Sequence, residues 1–528
     1  MKIKFYCIIA AMAALVMVAC SKEEGKEEQG GKEEPQEEVE VVSVSPETAS
    51  FDCTGGTFVF TVLANYDWTV TCPAWMNATP ASGAGDKNSH EVSVTVSAYS
   101  VETEDRTGDI KVSLPKGECA VVTVTQTRKP HVDPKPTSIS SADDFVLWME
   151  HYAATETGTM TLEKDIDMSE VDFTPATEFA GTFDGKGHTI KNLKSIKPLF
   201  VTMSGTVKDL ILDAGCEFNS SDIEYVSSFV GLLSGTMSGC TNNGKVVVKE
   251  QNSARYIGGL CSYTEAGAKI ENCTNNGSVD YIPATHSSDI YAGGLAGYNK
   301  GDMKDIVNNG AVTLAPEICS AGKLTAGGLS GAGYSGTAVN CVNNGKLDCH
   351  FEGSLGSEVR VGGFFGEGTL TICTACKQFG DVYCPVVGTK YRVGGLTGFQ
   401  MEVKDGNNYN VFEDCAINCT VTGCQGEAKK APQWEGGNDV GSSLSMIVGR
   451  MSGQSGKGSN LYFGTEAKPV KMAGTLVSTG DVEKTVVITA DNYRSYVCGG
   501  GSATNYAGDP ASPCTWQVFN AVYQAVSK

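Results

Sequence analysis

The sequence of 528 residues offers 20 cysteines and 6 histidines from which a metal site or a nucleophilic site could be built. Cys373 and Cys376 have the Cys-x-x-Cys spacing of half a zinc site, but no second pair has matching spacing, so we predict no metal there. The HExxH, GxSxG and phosphate-loop signatures of common enzymes are absent from the sequence as well. We therefore predict no cofactor and favour a non-enzymatic function.

Carboxylates leave one enzymatic alternative open. A polysaccharide lyase or hydrolase on a β-helix scaffold would need carboxylates and a basic residue gathered on one outer face. Asp184, Asp209 and Asp289 are available, but nothing in the sequence places them on one face. The regular repeats described below suit a scaffold better. An adhesin or glycan-binding protein is therefore the main prediction, and a carbohydrate-active enzyme is the alternative.

Residues 1–19 have the layout of a secretory signal. Lys2 and Lys4 precede an apolar run over residues 8–18, and Cys20 follows directly after Ala19. The run is shorter than the roughly 20 residues that a membrane-spanning helix needs. Residues 17–20, Met-Val-Ala-Cys, resemble the lipobox of bacterial lipoproteins. This resemblance implies that Cys20 carries a lipid that anchors the protein to a membrane; a free Cys20 behind an ordinary signal is the alternative.

Residues 20–40 are predicted to be a disordered acidic tether. Residues 22–40 contain nine Glu, three Lys and no aromatic residue, so they cannot bury a core and repel one another into an extended chain. Residues 21–24, Ser-Lys-Glu-Glu, resemble the export tag of Bacteroidetes lipoproteins. The resemblance implies display on the outer face of the outer membrane, with a linker facing the periplasm as the alternative. The charge of −21 for the whole chain argues against nucleic acid as a partner.

Residues 41–128 are predicted to fold as a β-sandwich, because short alternating β-type runs are separated by Gly, Pro and Asn clusters. They resemble the BACON domain, an immunoglobulin-like module of surface and polysaccharide-utilisation proteins. The matching features are Gly55-Gly56, residues 65–68, Trp75 with residues 80–83, residues 106–110 and residues 124–126. The resemblance implies either carbohydrate binding or a spacer role. Trp68 and Trp75 are candidate sugar platforms, but we predict that both pack in the core. The proline-rich residues 129–137 are predicted to be a linker.

A repeat dominates residues 138–480. Asn-Asn-Gly triplets end at Gly244, Gly277, Gly310 and Gly345, and pairs of glycines followed by an apolar residue begin at Gly258, Gly293, Gly327, Gly362 and Gly394. Units of this length made of short β-type runs predict a parallel β-helix-like solenoid, since a propeller would need four antiparallel strands per unit. Residues 140–149 predict a short helix that caps its N-terminal end. The predicted fold class is therefore all-β.

The repeats resemble the GLUG motif of bacterial adhesins and other surface proteins. Residues 294–297, Gly-Leu-Ala-Gly, match it, as do residues 328–331 and 395–398. Residues 259–262 lack the final glycine, and Phe364 replaces leucine in the next copy. The resemblance covers residues 229–398.

Four cysteines recur within these repeats. Cys240, Cys273, Cys341 and Cys376 each stand four residues before the turn glycine, and Ile306 takes this place in the remaining copy. A position that accepts cysteine or isoleucine is an apolar packing position. We therefore predict an inward ladder of buried thiols rather than disulfides.

Residues 481–528 are predicted to be a C-terminal cap, because an open sheet edge at the end of a solenoid would pair with other chains. Cys498 and Cys514 flank a glycine-rich loop there and are the disulfide candidate, worth about 3 kcal/mol.

Tyr256, Tyr291, Thr325, Arg360 and Arg392 each stand two residues before a glycine pair. Stacked coils would align them as an outward stripe of aromatic and basic side chains, which we predict to bind glycans or host surface molecules. An ordinary solvated ladder is the alternative. The residue that follows each of them is apolar, so the glycine pair must form a corner or bulge if this assignment holds.

Overall fold

The computed structural model is almost entirely β-sheet, with one short α-helix. It describes residues 39–219, 224–250, 255–286, 288–319, 322–351, 358–385, 391–400 and 410–423, and then the strands at 443–445, 448–451, 456–459, 462–463, 471–476 and 481–487. The predicted signal, Cys20 and the Cys498–Cys514 pair lie outside these residues. The chain divides into two compact units between Val132 and Asp133. No helix of the described part is long and apolar enough to cross a membrane.

The first unit is a β-sandwich, as predicted. Its four-stranded sheet has the order Val42–Ser45, Gly56–Ala64, Ser89–Val96 and Met76–Thr79, and its five-stranded sheet has the order Thr48–Phe51, Cys119–Gln126, Arg106–Ser113, Trp68–Thr71 and Ser82–Gly83. Alternate residues of the long strands, such as Phe60, Val62, Val92 and Val94, are fully buried between the sheets. The alternation of apolar and polar residues in the sequence therefore corresponds to an inner and an outer face.

The two candidate sugar platforms of the sandwich are occupied by packing. Trp68 is 1% exposed in the core. Trp75 is half-buried beneath Arg106, whose guanidinium carbon lies 4.2 Å from the Trp75 ring centroid and 4.2 Å from that of Tyr99. Arg106 is held there by hydrogen bonds of 2.9 and 2.7 Å to Oε1 of the buried Gln126. Neither indole therefore presents a free face.

The second unit is a solenoid of five parallel sheets, which we call A to E in the order that a coil visits them. Sheet A comprises Tyr225–Val226, Tyr256–Gly258, Ile290–Gly293, Lys323–Gly327, Glu358–Gly362, Tyr391–Gly394 and Ser443–Ser445. Sheet B comprises Ala176–Phe179, Phe200–Met203, Val230–Leu233, Cys261–Thr264, Ala296–Asn299, Ser330–Tyr334, Phe365–Thr369, Thr397–Gln400 and Val448–Met451. Sheet C comprises Thr159–Thr161, Thr182–Asp184, Thr206–Lys208, Thr236–Ser238, Lys269–Glu271, Asp302–Lys304, Thr337–Val339, Ile372–Thr374, Asn410–Glu413 and Gly456–Ser459.

Sheets D and E complete the coils. Sheet D comprises Ile166–Asp167, Thr189–Lys191, Ile211–Leu212, Thr241–Asn242, Thr274–Asn275, Val307–Asn308, Val342–Asn343, Lys377–Gln378, Ala416–Ile417 and Tyr462–Phe463. Sheet E comprises Lys194–Ser195, Glu217–Asn219, Lys245–Val248, Val279–Tyr281, Val312–Leu314, Leu347–Cys349, Val382–Tyr383, Thr420–Thr422, Lys471–Leu476 and Asp481–Val487. Thr285–His286 and Ile318–Cys319 form an additional pair. The last strand of sheet E runs antiparallel to its neighbour, which ends the parallel stack.

A helix covers the N-terminal end of the solenoid, as the sequence predicts. It spans Ala142–His151, and the Ser141 side chain caps it by accepting a hydrogen bond of 3.0 Å from the Asp144 backbone N–H. A 3-10 turn at Ala153–Thr155 follows. Phe145 and Trp148 are fully buried, and Trp148 stacks on Phe183 of the first coils with ring centroids 5.2 Å apart.

Two inward ladders explain the repeating residues. Asn242, Asn275, Asn308 and Asn343 are fully buried, and each donates a side-chain hydrogen bond of 2.8 to 3.1 Å to the next amide in the row, which ends at Gln378. The first asparagine of each Asn-Asn-Gly triplet is thus an interior residue whose polar groups are satisfied by its neighbours. Each of these asparagines also donates to the carbonyl of the turn glycine two residues later.

The cysteines form the second ladder. Cys240, Cys273, Cys341 and Cys376 are fully buried, as is Ile306 in the same position. None of these four thiols forms a disulfide. Burial raises the pKa of Cys240 well above its usual value. Cys373 is also buried, and the described residues contain no group of three metal-ligating side chains.

Candidate functional site

The glycine pairs form a corner that brings sheets A and B into direct contact. Gly293 is the last residue of its sheet A strand, and the sheet B strand begins at Ala296. A Cβ placed on Gly331 of sheet B would lie 2.5 Å from the Ala292 backbone nitrogen of sheet A. Glycine at the end of the Gly-Leu-x-Gly signature is therefore needed because two backbones meet there.

The other glycines of the signature are equally confined. A Cβ on Gly294 would lie 2.2 Å from Nδ2 of Asn308 and 2.4 Å from the carbonyl oxygen of Gly328. The corner therefore packs against the interior asparagine ladder on one side and against the next coil on the other. The predicted corner at the glycine pair is present, and it is tighter than a solvated turn.

Beyond this corner, side chains of the two sheets that point away from the core interdigitate. We call this zipper of side chains the seam. Its sheet A row, in hydrogen-bonded register, is Tyr225, Tyr256, Tyr291, Thr325, Arg360 and Arg392. Its sheet B row is Tyr263, Tyr298, Ala332, Glu367 and Phe399. The side chains between the members of the sheet A row, such as Ile257 and Ala292, belong to the hydrophobic core.

The first half of the seam is aromatic and contains five tyrosines. Tyr225, Tyr256 and Tyr291 stack along sheet A with ring centroids 5.7 and 5.6 Å apart. Tyr263 and Tyr298 stack along sheet B at 5.1 Å. The two rows meet edge to face at 5.0 to 6.3 Å, the favoured arrangement for aromatic pairs. All except the buried Tyr291 are partly open to solvent.

Burial changes the acid–base behaviour of three of these phenols. It raises the pKa of Tyr256 to about 12 and raises the pKa values of Tyr225 and Tyr298 as well. These three tyrosines are therefore neutral hydrogen-bonding groups at physiological pH.

Three cations lie over the tyrosine rings. Arg255 lies 5.5 Å from the Tyr256 centroid, Lys300 lies 5.0 Å from that of Tyr263, and Lys323 lies 4.8 Å from that of Tyr291. These distances fall within the range of cation–π attraction. Lys300 also lies 3.7 Å from Glu265 and Lys323 lies 3.1 Å from Glu367, so the rim of the aromatic half carries charges of both signs.

The second half of the seam is ionic. Arg360 donates two hydrogen bonds of 2.9 Å to the Glu358 carboxylate and also pairs with Glu367. Arg392 pairs with Glu358 as well. The Phe399 ring contacts the two guanidinium groups, whose carbons lie 4.2 and 4.3 Å from its centroid. These charged side chains are at most 22% exposed and pair with one another.

The predicted stripe therefore has the expected register but a different exposure. Arg392 is 1% exposed, Arg360 9% and Tyr291 8%, whereas Tyr256 is half-buried. They do not form an outward solvated row, because the glycine corner folds sheet B against them. Alternation of residues along a single strand could not reveal this contact. Their predicted role in ligand binding stays a prediction.

Sequence reasoning missed the sheet B row. Tyr298, Glu367 and Phe399 each follow the final glycine of a Gly-Leu-x-Gly copy or its variant, as does Tyr263 after Ser262. The recurrence of large side chains directly after this glycine was the signal that could have found them. They matter because they supply the second wall of the seam.

Of the three carboxylates considered for catalysis, Asp184 and Asp209 lie on neighbouring coils beside Lys208, whereas Asp289 lies apart from them. Asp184 belongs to sheet C and pairs with Lys208 at 2.6 Å. Asp209 follows sheet C at a corner with a φ of 49°. Asp289 precedes sheet A, where it accepts a hydrogen bond of 2.9 Å from the Lys323 backbone. In the ionic half of the seam, Glu358 and Glu367 share Arg360 as a basic partner.

Comparison with protein families confirms two resemblances. Residues 67–127 match the BACON family, described as "Putative binding domain, N-terminal", and residues 253–280 match the GLUG motif. No curated protein matches the chain.

Solved structures show distant similarity. One is titled "Crystal structure of a putative immunoglobulin A1 protease from Bacteroides ovatus", with 18% identity, coverage of 67% of this chain and 79% of that chain, and a TM-score of 0.33. An IgA1 protease has 16% identity, coverage of 64% and 28%, and a TM-score of 0.38. A Bacteroides ovatus GH5 xyloglucanase, in complex with a heptasaccharide, has 20% identity, coverage of 19% and 21%, and a TM-score of 0.15. The chain thus spans about a fifth of the xyloglucanase chain.

Proposed function

We propose that this protein is a lipid-anchored surface protein of a bacterial outer membrane that binds glycans without cleaving them, as an adhesin or glycan-binding protein. The observation that carries this proposal is the aromatic half of the seam, where partly open tyrosines lie beneath the cations of Arg255, Lys300 and Lys323. Aromatic faces and edges pack on the apolar faces of sugar rings, and phenol and ammonium groups form hydrogen bonds with the sugar hydroxyls. The match to a family described as a binding domain supports the same conclusion.

The solenoid suits this function mechanically. Each coil contacts its neighbours through parallel ladders, so its side chains repeat at the inter-strand spacing of about 4.8 Å. A chain ligand of repeating units can therefore meet several equivalent groups at once. The acidic tether would hold this surface away from the membrane.

Binding is tested with the mature chain and a double variant. Tyr263→Ala with Tyr298→Ala removes the sheet B wall of the aromatic half, and we expect at least a tenfold loss of glycan-array affinity. Tyr383→Ala is the matched control, because Tyr383 is also a half-buried tyrosine of the solenoid with a lysine, Lys346, 4.8 Å from its ring centroid, but it lies in sheet E. Equal affinity of the double variant and the control would contradict the proposal, as would a wild-type protein that binds no glycan.

Anchoring is tested separately in cells. We expect Cys20→Ser to abolish incorporation of a labelled fatty acid and to release the protein from the membrane fraction. Protease added to intact cells should degrade the wild-type protein if it is displayed outward. Full protection from protease in intact cells, with digestion after lysis, would place the protein on the periplasmic side.

A carbohydrate-active enzyme is the second candidate, favoured by one observation. Glu358 and Glu367 are gathered with Arg360 in the ionic half of the seam. It ranks second because the shared guanidinium of Arg360 already holds both carboxylates in ion pairs. Incubation with neutral and acidic polysaccharides, comparing wild type with Glu367→Gln, tests it. Product release by wild type that Glu367→Gln loses would establish the enzyme.

A further inference from the structure

The seam is interrupted where its aromatic half meets its ionic half. In sheet B, Ala332 stands between Tyr298 and Glu367, and in sheet A, Thr325 stands between Tyr291 and Arg360. Two successive positions of the zipper are therefore small. We call the space between their large neighbours the notch.

Thr325 is fully buried and Ala332 is 3% exposed, so the notch is closed in this structure and would open to the width of one ring if Lys323 moved aside. Tyr298 and Glu367 are two rungs apart in a sheet whose strands are about 4.8 Å apart, so their side chains are separated by about 10 Å. Tyr263 and Tyr298 stack at 5.1 Å, which is one rung. One more ring could therefore continue the stack on the other face of Tyr298.

An unpartnered hydroxyl lies at the floor of the notch. Thr325 is fully buried, and its Oγ1 has no hydrogen-bond partner among the described residues. A buried hydroxyl without a partner is unfavourable, so such groups in folded proteins call for a specific explanation. A hydroxyl of a bound ligand would be a suitable partner.

Lys323 covers the notch. Its ammonium lies 4.8 Å from the Tyr291 centroid on one side and 3.1 Å from Oε2 of Glu367 on the other, and its side chain is 17% exposed. The long flexible side chain of Lys323 can move out of the notch while its ammonium group stays in water. Movement of Lys323 would also free an oxygen of Glu367 to accept a ligand hydroxyl.

We propose that the notch is a subsite for one neutral hexose ring, which stacks on Tyr298 and hydrogen-bonds to Thr325, Glu367 and the displaced Lys323. This proposal rests on the proposed glycan-binding function and locates it within the seam. A neutral ring is specified because a uronate would bring its carboxylate toward Glu367. Binding of one ring should be weak, with dissociation constants in the millimolar range expected for so small a ligand.

The probes are single-ring methyl glycosides of glucose, galactose, mannose and N-acetylglucosamine, with methyl galacturonoside as the acidic comparison. Saturation-transfer NMR on the mature chain should show at least one neutral glycoside bound. Thr325→Val removes Oγ1 while keeping the side-chain shape, and we expect at least a fivefold weaker signal with no loss of thermal stability. Thr397→Val is the matched control, because Thr397 also has a buried Oγ1 without a hydrogen-bond partner. Thr397 lies outside the seam, in register with the core residue Phe365 of sheet B.

A second variant tests the space itself. Ala332→Tyr would continue the Tyr263–Tyr298 stack and fill the notch, so it should abolish the glycoside signal while circular dichroism and melting stay those of the wild type. If Ala332→Tyr unfolds the chain, Thr325→Val alone decides. Equal signals for Thr325→Val and Thr397→Val, or stronger binding of the galacturonoside than of every neutral ring, would overturn the subsite. If both Thr325→Val and Ala332→Tyr still bound glycans on the array, the subsite would be wrong and the proposed function would stand. If the wild-type protein bound no glycan on the array, both the subsite and the proposed function would be rejected.

Discussion

Gly331→Ala tests the contact between sheets A and B on which the seam depends. The added Cβ would lie 2.5 Å from the Ala292 nitrogen and 2.7 Å from both the Gly297 carbonyl oxygen and the Tyr291 carbonyl carbon. All three are backbone atoms, so no side chain can rotate away. The sheets would have to separate by about 0.9 Å to restore an ordinary contact.

The expected cost follows from the rigidity of packed backbones. Overpacking a protein interior costs about 1–3 kcal/mol and sometimes more, and a contact held by two sheets lies at the upper end. We expect Gly331→Ala to lower the free energy of unfolding by about 3 kcal/mol. Gly267→Ala is the control, because Gly267 has a φ of 88° and nothing near its Cβ position, so the change costs only conformational strain of about 1–2 kcal/mol.

The assay is urea denaturation of the mature chain, with hydrogen exchange to locate the effect. Repeat arrays can unfold in parts, so a single midpoint is not sufficient. We expect faster exchange at Ala292 and its neighbours in sheet A, and little change in the first coils. If Gly331→Ala were as stable as Gly267→Ala within about 0.5 kcal/mol, the close approach of the sheets, and with it the seam, would be refuted.

Three further predictions concern other parts of the molecule. Burial raises the pKa of Tyr256 to about 12. The stability that the neutral phenol contributes is therefore present below the ordinary tyrosine pKa of about 10 and is lost as the pH rises through 12. Tyrosinate absorbance and the melting temperature, measured together over this pH range, should show this loss. Cys119 is exposed whereas Cys240 is buried with a raised pKa, so a water-soluble thiol reagent followed by peptide mass spectrometry should modify Cys119 in the native protein and Cys240 only after unfolding. Ser141→Ala should lower the free energy of unfolding of the capping helix by about 1 kcal/mol because it removes the bond to the Asp144 N–H, and Ser141→Asp should retain most of it, as measured by thermal denaturation.

Features that depend on local repetition were predictable from the sequence. The cysteine position was recognised as interior because Ile306 replaces cysteine in one copy, and burial of both residue types confirms it. The helix start at Ser141 was recognised from its capping residue, since an N-cap acts within one turn. In both cases the deciding interactions lie within a coil or between equivalent positions of neighbouring coils.

Features that depend on contact between different sheets were not predictable in the same way. Arg392 follows the pattern of an outward residue, and it does point away from the core, yet sheet B buries it. Its partner Glu358 belongs to the previous coil, and the Phe399 ring that it contacts comes from sheet B. The angle of the glycine corner determines this burial. Contacts between backbone atoms set that angle, and the only sign of these contacts in the sequence is the glycine itself.

The two halves of the seam differ in what they leave for a ligand. In the ionic half, the guanidinium groups of Arg360 and Arg392 are paired with Glu358 and Glu367, and a ligand that broke these pairs would leave a charge buried without a partner, at a cost of several kcal/mol. In the aromatic half, the tyrosines hold one another by stacking, which a ligand can extend without breaking anything. The two halves are joined by the ion pair between Lys323 and Glu367, whose side chains are 17% and 11% exposed. A ligand that displaced Lys323 would break only this one partly solvated ion pair. We therefore expect a ligand to bind at the tyrosines and the junction, while the buried ion pairs hold the sheets in register.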